Sequence, residues 1–225
     1  MSSYLVTQLI SLLFSLPCVL IAVTFHEVAH GYAANRLGDP TAASLGRLTL
    51  NPLKHLDPIG TICMLFFRFG WAKPVPVNTR YFKKPRRDMA IVALAGPLTN
   101  ILLAFAGMLL YHILYVILSS QFAVSIDGFA GTAFRLLMMF LSYFYQLNAS
   151  FAIFNLLPIP PLDGSRILSI VLPPRLYFTL MKYERYIALG MLLLLYIGIL
   201  DAPLSFLVNG LLSGMDWLIG LIPFL

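Results

Sequence analysis

The first 25 residues carry no charged side chain, and the chain then reads HEVAH over residues 26 to 30. Tyr4–Phe25 alone gives 22 uncharged residues, and about 20 are enough to cross the hydrocarbon core of a bilayer as a helix. The helix is expected to continue through the histidines to about Leu37, where Gly38, Asp39 and Pro40 stop it. Two imidazoles and a carboxylate thus end a segment otherwise suited to lipid. Their presence there sets the problem for the rest of the chain.

The rest of the sequence suits a membrane as well. Of its 225 residues, 60% are hydrophobic and only 11% charged, against about 25% charged in soluble domains. A second span is expected over Met89–Leu118 and a third over Gly131–Leu157. Leu176–Leu200 reads as a helix with an amphipathic start and a fourth span, and Leu204–Leu225 is apolar enough for a fifth. Asn209 and Asp216 also leave that last stretch open to lying along the surface. Residues 41–87 differ. IGTICMLFF is apolar but too short to span, and WAKPVPVN is β-prone yet broken by prolines, as suits an edge strand. The expected fold is an all-α polytopic membrane protein. It has about five transmembrane helices plus a short re-entrant or β-hairpin segment between the first two.

The net charge of +6 does not indicate nucleic acid, because no soluble basic domain exists to carry it. Ten of the 15 lysines and arginines fall between Arg36 and Arg87, and four more between Arg166 and Arg185. Basic residues gathered in loops mark the cytoplasmic side. The N-terminus is then outside, and the ends of the first and third spans meet at one membrane face.

His26 and His30 are four residues apart, so a helix sets both on one face, one turn apart. H-E-x-x-H is the zinc-hydrolase arrangement, in which two imidazoles hold the metal and the glutamate, here Glu27, serves as general base. Counting from Arg36 puts His26 about 15 Å into the membrane at 1.5 Å per residue. Titratable groups at such depth are rare and mostly functional. A zinc hydrolase needs a third protein ligand. Asp163, in NLLPIPPLDGSR just after the third span, lies on the same membrane face as the histidines. Its other reading is a turn residue in an Asp-Gly pair.

HEVAH near the end of one span, GPLTN (96–100) in the next and NLLPIPPLDG (155–164) closing the third resemble the site-2 protease family of intramembrane zinc metalloproteases. GRLTLNPLKHLDPIGT and GWAKPVPVN look like its short bacterial branch, which lacks a PDZ domain. The resemblance covers roughly residues 1 to 185. It implies one zinc ion per chain held by His26, His30 and Asp163, with Glu27 as the catalytic glutamate. It matches Asn155 to a residue that stabilises the oxyanion and Asn100 to one that touches substrate backbone. Segment 60–78 matches a membrane-inserted β-hairpin that holds substrate extended. The whole chain, 1–225, is then a single membrane-embedded metalloprotease domain, with a catalytic core over about 1–172 and C-terminal helices over about 176–225. The implied partners are a transmembrane protein substrate and the lipid bilayer. The implied location is the plasma membrane, with the active site towards the cytoplasm.

Two residues keep a second reading. Asn100 shares a helical seam with Ala93, Gly96, Ala104 and Gly107, so hydrogen bonding between helices would also explain it. Asn155 stands where a helix C-terminus is capped. A transporter with broken helices would also use the prolines at 158–161, but it has no use for Glu27, and no internal repeat is visible. A catalytically silent scaffold would be expected to have lost one of His26, Glu27, His30 or Asp163.

Overall fold

The computed structural model describes residues 2–58, 60, 72–121 and 128–223. The long helices are α1 (Ser2–Arg36), α3 (Pro85–Gln121), α4 (Phe129–Leu156) and α8 (Asp201–Gly220). Shorter ones are α2 (Thr41–Ser44), α5 (Asp163–Val171), α6 (Pro174–Lys182) and α7 (Glu184–Tyr196). Among the described residues there is no strand, only one antiparallel bridge between Leu56 and Ala72. The fold is all-α and polytopic, as the composition requires.

Local chemistry sets the helix ends. Gly38, at φ 103°, takes the left-handed conformation that closes α1, where the Asp39 N–H donates to the Ala34 carbonyl at 2.9 Å. At the start of α3, Pro85 needs no amide partner, and the Asp88 carboxylate accepts the Lys84 N–H at 2.9 Å. The seam of small residues on α3 does bring helices close. A side chain at Gly107 would meet Phe144 Cδ1 at 2.6 Å, so α4 lies directly on α3. α8 covers both through a cluster of Ala104, Met108, Ala149, Met215 and Ile219.

Among the described residues, four helices are long and apolar enough to cross a membrane: Ser11–Arg36, Pro85–Ile117, Phe129–Leu156 and Asp201–Gly220. The expectation of about five differs over residues 176–200. There the chain breaks at Tyr183 into α6 and α7, and α7 has 13 residues. At 1.5 Å per residue it is about 20 Å long, short of the ~30 Å hydrocarbon core. α6 carries exposed Leu176 and Phe178 between Arg175 and Lys182, the make-up of a helix lying in the interface.

The centre of the expected re-entrant or hairpin segment, residues 61–71, lies outside the described residues. Its flanks do meet: beside the Leu56–Ala72 bridge, Lys73 N–H donates to the His55 carbonyl at 2.9 Å. Residues 73–78 then run on as an irregular strap. Pro74 and Pro76 have no N–H to give, so the strap forms no ladder. Buried His55 anchors this region, its Nε2 2.8 Å from the Thr49 carbonyl.

Candidate metal centre

Three side chains from two distant parts of the chain converge between the helices. His26 and His30 project from α1, and Asp163 is the first residue of α5, delivered by the turn that follows α4. His26 Nε2 lies 2.9 Å from His30 Nε2. Asp163 Oδ2 lies 3.0 Å from His26 Nε2 and 3.1 Å from His30 Nε2. Both imidazole side chains are nearly closed to solvent, at 4% and 11% exposure.

The other ring nitrogens decide what this cluster holds. His30 Nδ1 is 2.7 Å from the Val92 carbonyl, which only accepts, so Nδ1 carries the proton. His26 Nδ1 is 2.7 Å from Asn100 Oδ1. The Asn100 amide is oriented by its own partners: Nδ2 donates to the Ala22 carbonyl at 3.1 Å and to Asn148 Oδ1 at 2.9 Å. Its oxygen therefore faces His26, and His26 also carries its proton on Nδ1. Both Nε2 atoms then present lone pairs, as does the carboxylate, and the three point at one another. Three converged lone pairs in a low-dielectric site repel unless a cation lies among them. Two imidazoles and one carboxylate form a three-ligand donor set of the catalytic zinc type, with the remaining position left to water or substrate.

Gly96 shows that the space is built for the rings. A Cβ there would lie 2.5 Å from His30 Nε2 and 2.6 Å from His26 Cε1, so any larger residue would fill the centre. On the Asp163 side, a Cβ at Gly164 would lie 2.3 Å from the Leu156 and Leu157 carbonyls. The Asp-Gly pair is thus a close approach of α5 to the end of α4.

Glu27 stands apart from the ligands. Its Oε2 accepts the backbone N–H of Val75 at 2.7 Å. Glu27 and Asn155 line a cavity of about 600 Å³ together with the three candidate ligands and the strap residues Pro74, Val75 and Val77. Asn155 donates one amide N–H to the Phe151 carbonyl at 3.0 Å. Asn100, matched to a residue that touches substrate, is fully buried and makes its contacts to His26, Ala22 and Asn148.

The sequence did not single out Asn148, Gly31 or the Val75 amide, and it offered Gly96 as a helix-packing residue and as the start of GPLTN, not as room for the imidazoles. An asparagine inside an apolar 28-residue helix, more than two turns from either end, was the signal available for Asn148.

Residues 14–197 match peptidase family M50. Curated relatives carry the name "Putative zinc metalloprotease". YwhC of Bacillus subtilis is 45% identical over 75% of this chain and 73% of its own length. Rip2 of Mycobacterium tuberculosis is 33% identical over 80% of this chain and 64% of its own, so the chain spans just under two thirds of that relative. MJ0611 of Methanocaldococcus jannaschii is 31% identical over 64% of this chain and 63% of its own. No solved structure gives a significant match. A family match that begins before the HEVAH turn and runs past Asp163 takes in the whole buried donor set, and on that ground the chain belongs to peptidase family M50, as a multi-pass zinc metalloprotease.

Proposed function

We propose that the chain hydrolyses peptide bonds in or near the transmembrane segments of other membrane proteins, with Glu27 as general base. One observation carries this reading: the His26, His30 and Asp163 ligand atoms all lie within 4.8 Å of one another, and they do so among helices apolar enough to span a bilayer. A metal centre at that depth is reached by substrates that share the membrane.

A zinc ion held by His26, His30 and Asp163 would supply a water of lowered pKa and a Lewis acid for the scissile carbonyl. The chain does the rest. His26 and His30, fixed as Nδ1–H tautomers, and ionised Asp163 hold the ion. Glu27 takes a proton from the attacking water and delivers it to the leaving amine. Asn155, whose amide has a second N–H beyond the one bonded to Phe151, donates to the developing oxyanion. Asn100 orients His26. The basic loops between Arg36 and Arg87 and around Arg166 to Arg185 support a cytoplasmic orientation for this end of the helices, and the family likeness supports the plasma membrane as the location.

A substrate helix already has its carbonyls hydrogen-bonded, so it must unwind before attack. Substrates with Gly, Pro or Asn near the cut site are therefore cleaved faster. The test is Glu27→Ala, with metal content and cleavage measured on the same preparation. Zinc is expected to stay stoichiometric while cleavage falls about 10²–10⁴-fold. Full activity in that variant refutes the general-base role. Comparing membrane-protein fragments in cells carrying the intact chain and the Glu27→Ala form would identify the substrate.

A further inference from the structure

Glu27 has a partner that proton transfer alone does not require. The Val75 N–H donates to it at 2.7 Å from 48 residues away. Val75 stands between Pro74 and Pro76, so over those three residues its amide is the only backbone donor. The strap is fixed at both ends by other groups. At one end Arg47 donates to the Lys73 carbonyl at 2.7 Å, and at the other Asp39 Oδ2 accepts the Asn78 N–H at 2.6 Å. Between those anchors the strap lies on α1 at two points. The first is the Glu27 carboxylate. The second is Gly31, where a Cβ would come within 3.0 Å of Val75 Cγ1 and 2.6 Å of Leu48 Cδ2. Residues 27 and 31 are four apart, so one helical turn presents both.

We propose that Val75 is a positioning residue for the reaction: its amide pins Oε2 of Glu27, leaving the other carboxylate oxygen to carry the proton. This inference rests on the reading of Glu27 as general base. The strap and the base then form one mechanical unit. A free glutamate samples many rotamers, whereas a carboxylate accepting an amide hydrogen bond is held by one of the stronger interactions available to it. Because the strap also lines the cleft, a peptide lying along it meets a base that is already aligned.

Hydrogen exchange on the full-length, zinc-loaded protein tests the tether. Pro74 and Pro76 carry no amide hydrogen, so exchange over this stretch reports Val75 alone. Exchange is expected to be about tenfold faster in Glu27→Ala than in the wild type, and near the wild-type rate in Glu27→Gln, which keeps an accepting oxygen. Equal rates in all three proteins overturn the proposal and leave the general-base reading standing. The second arm compares Val75→Pro, which removes the donor and suits extended backbone, with Val75→Ala, which keeps it. With zinc content verified, Val75→Pro should lose about 10- to 100-fold in kcat with KM little changed, and Val75→Ala should recover most of that loss. Wild-type kcat in Val75→Pro, or equal losses in both variants, refutes the positioning role. A fully active Glu27→Ala is a different failure: it removes the general base, and this inference falls with it. If Val75→Pro does not hold zinc, the exchange arm decides.

Discussion

Gly96→Ala separates the demands of the metal centre from those of the helix. In α3 the added Cβ would lie 2.5 Å from His30 Nε2, and 2.6 Å from both His26 Cε1 and His30 Cε1. Relieving that overlap needs about 1 Å of ring movement to restore ordinary packing distances of ~3.5–4.0 Å. Neither ring is free to retreat, since each is held at Nδ1 by a 2.7 Å hydrogen bond, His30 to the Val92 carbonyl and His26 to Asn100 Oδ1. Losing an outer partner of a ligating histidine typically costs about 10- to 100-fold in metal affinity. Displacing both rings should therefore weaken zinc about 100-fold or more, roughly 3 kcal/mol at 1.4 kcal/mol per decade. The same substitution favours the helix by up to about 1 kcal/mol through backbone entropy. The ring overlap is there without the ion too, so this gain only partly offsets its cost: the metal-free Tm should fall somewhat while the zinc Kd rises. Competition against a fluorescent chelator and a thermal melt of the metal-free protein measure them separately. Gly107→Ala is the comparison, because its Cβ meets the Phe144 ring at 2.6 Å and Tyr145 Cβ at 3.5 Å, neither of them in the donor set, and should leave zinc affinity alone. Wild-type zinc affinity in Gly96→Ala would refute the account of the centre.

Other substitutions probe the supports. Asn100→Leu removes the acceptor for His26 Nδ1–H and should weaken zinc about 10- to 100-fold, whereas Asn100→Asp keeps an acceptor and should weaken it less; equilibrium dialysis reads both, and equal losses count against tautomer control. Asp163→Ala should lower zinc content itself, and unchanged stoichiometry by elemental analysis would send the search for a third ligand elsewhere. Buried Asp39 tests the acid side. Burial raises its pKa, but hydrogen bonds from the Thr41 hydroxyl and amide and from the Asn78 N–H outweigh that and lower it. A lowered native pKa contributes stability above the unfolded value of about 4, and that stability is lost as pH falls through the native value. Asp39→Asn should flatten the acid limb of a Tm–pH profile below about pH 4, and an unchanged limb would exclude Asp39 as its source.

Much of the site was legible because its logic is local or topological. The spacing of His26 and His30 needs only helical periodicity, and Asp163 follows from hydropathy plus the placement of basic loops. What stayed hidden depends on contacts that no period encodes. Gly96 looked like any small residue on a packing seam, and only the ring positions show that it makes room for imidazoles. Asn100 acquires its role from Asn148 and the Ala22 carbonyl, which fix its amide orientation from two other helices. The break at Tyr183 escaped because residues 176–200 are apolar enough to span, and hydropathy does not register where a helix stops. The strap read as an edge strand because its valines favour β-structure, while its prolines remove the donors a ladder requires.

The sequence HEVAHG, residues 26 to 31, places two pairs at helical spacing on neighbouring stripes of α1. His26 and His30 form one stripe and meet Asp163. Glu27 and Gly31, turned by about 100° around the axis, form the other and meet Val75. A straight helix cannot turn both stripes to the same partner, so Glu27 is kept off the three-ligand set by geometry rather than by weaker affinity. Rotating the glutamate by one residue in either direction would break this division. At position 26 it would displace an imidazole ligand, and at position 28 it would turn a further 100° away from the histidine stripe. The five-residue motif thus sorts its groups by helical pitch: the two imidazoles on one side of the turn and the Glu27 carboxylate on the next. Gly31 extends the turn so that a strap can lie against that carboxylate.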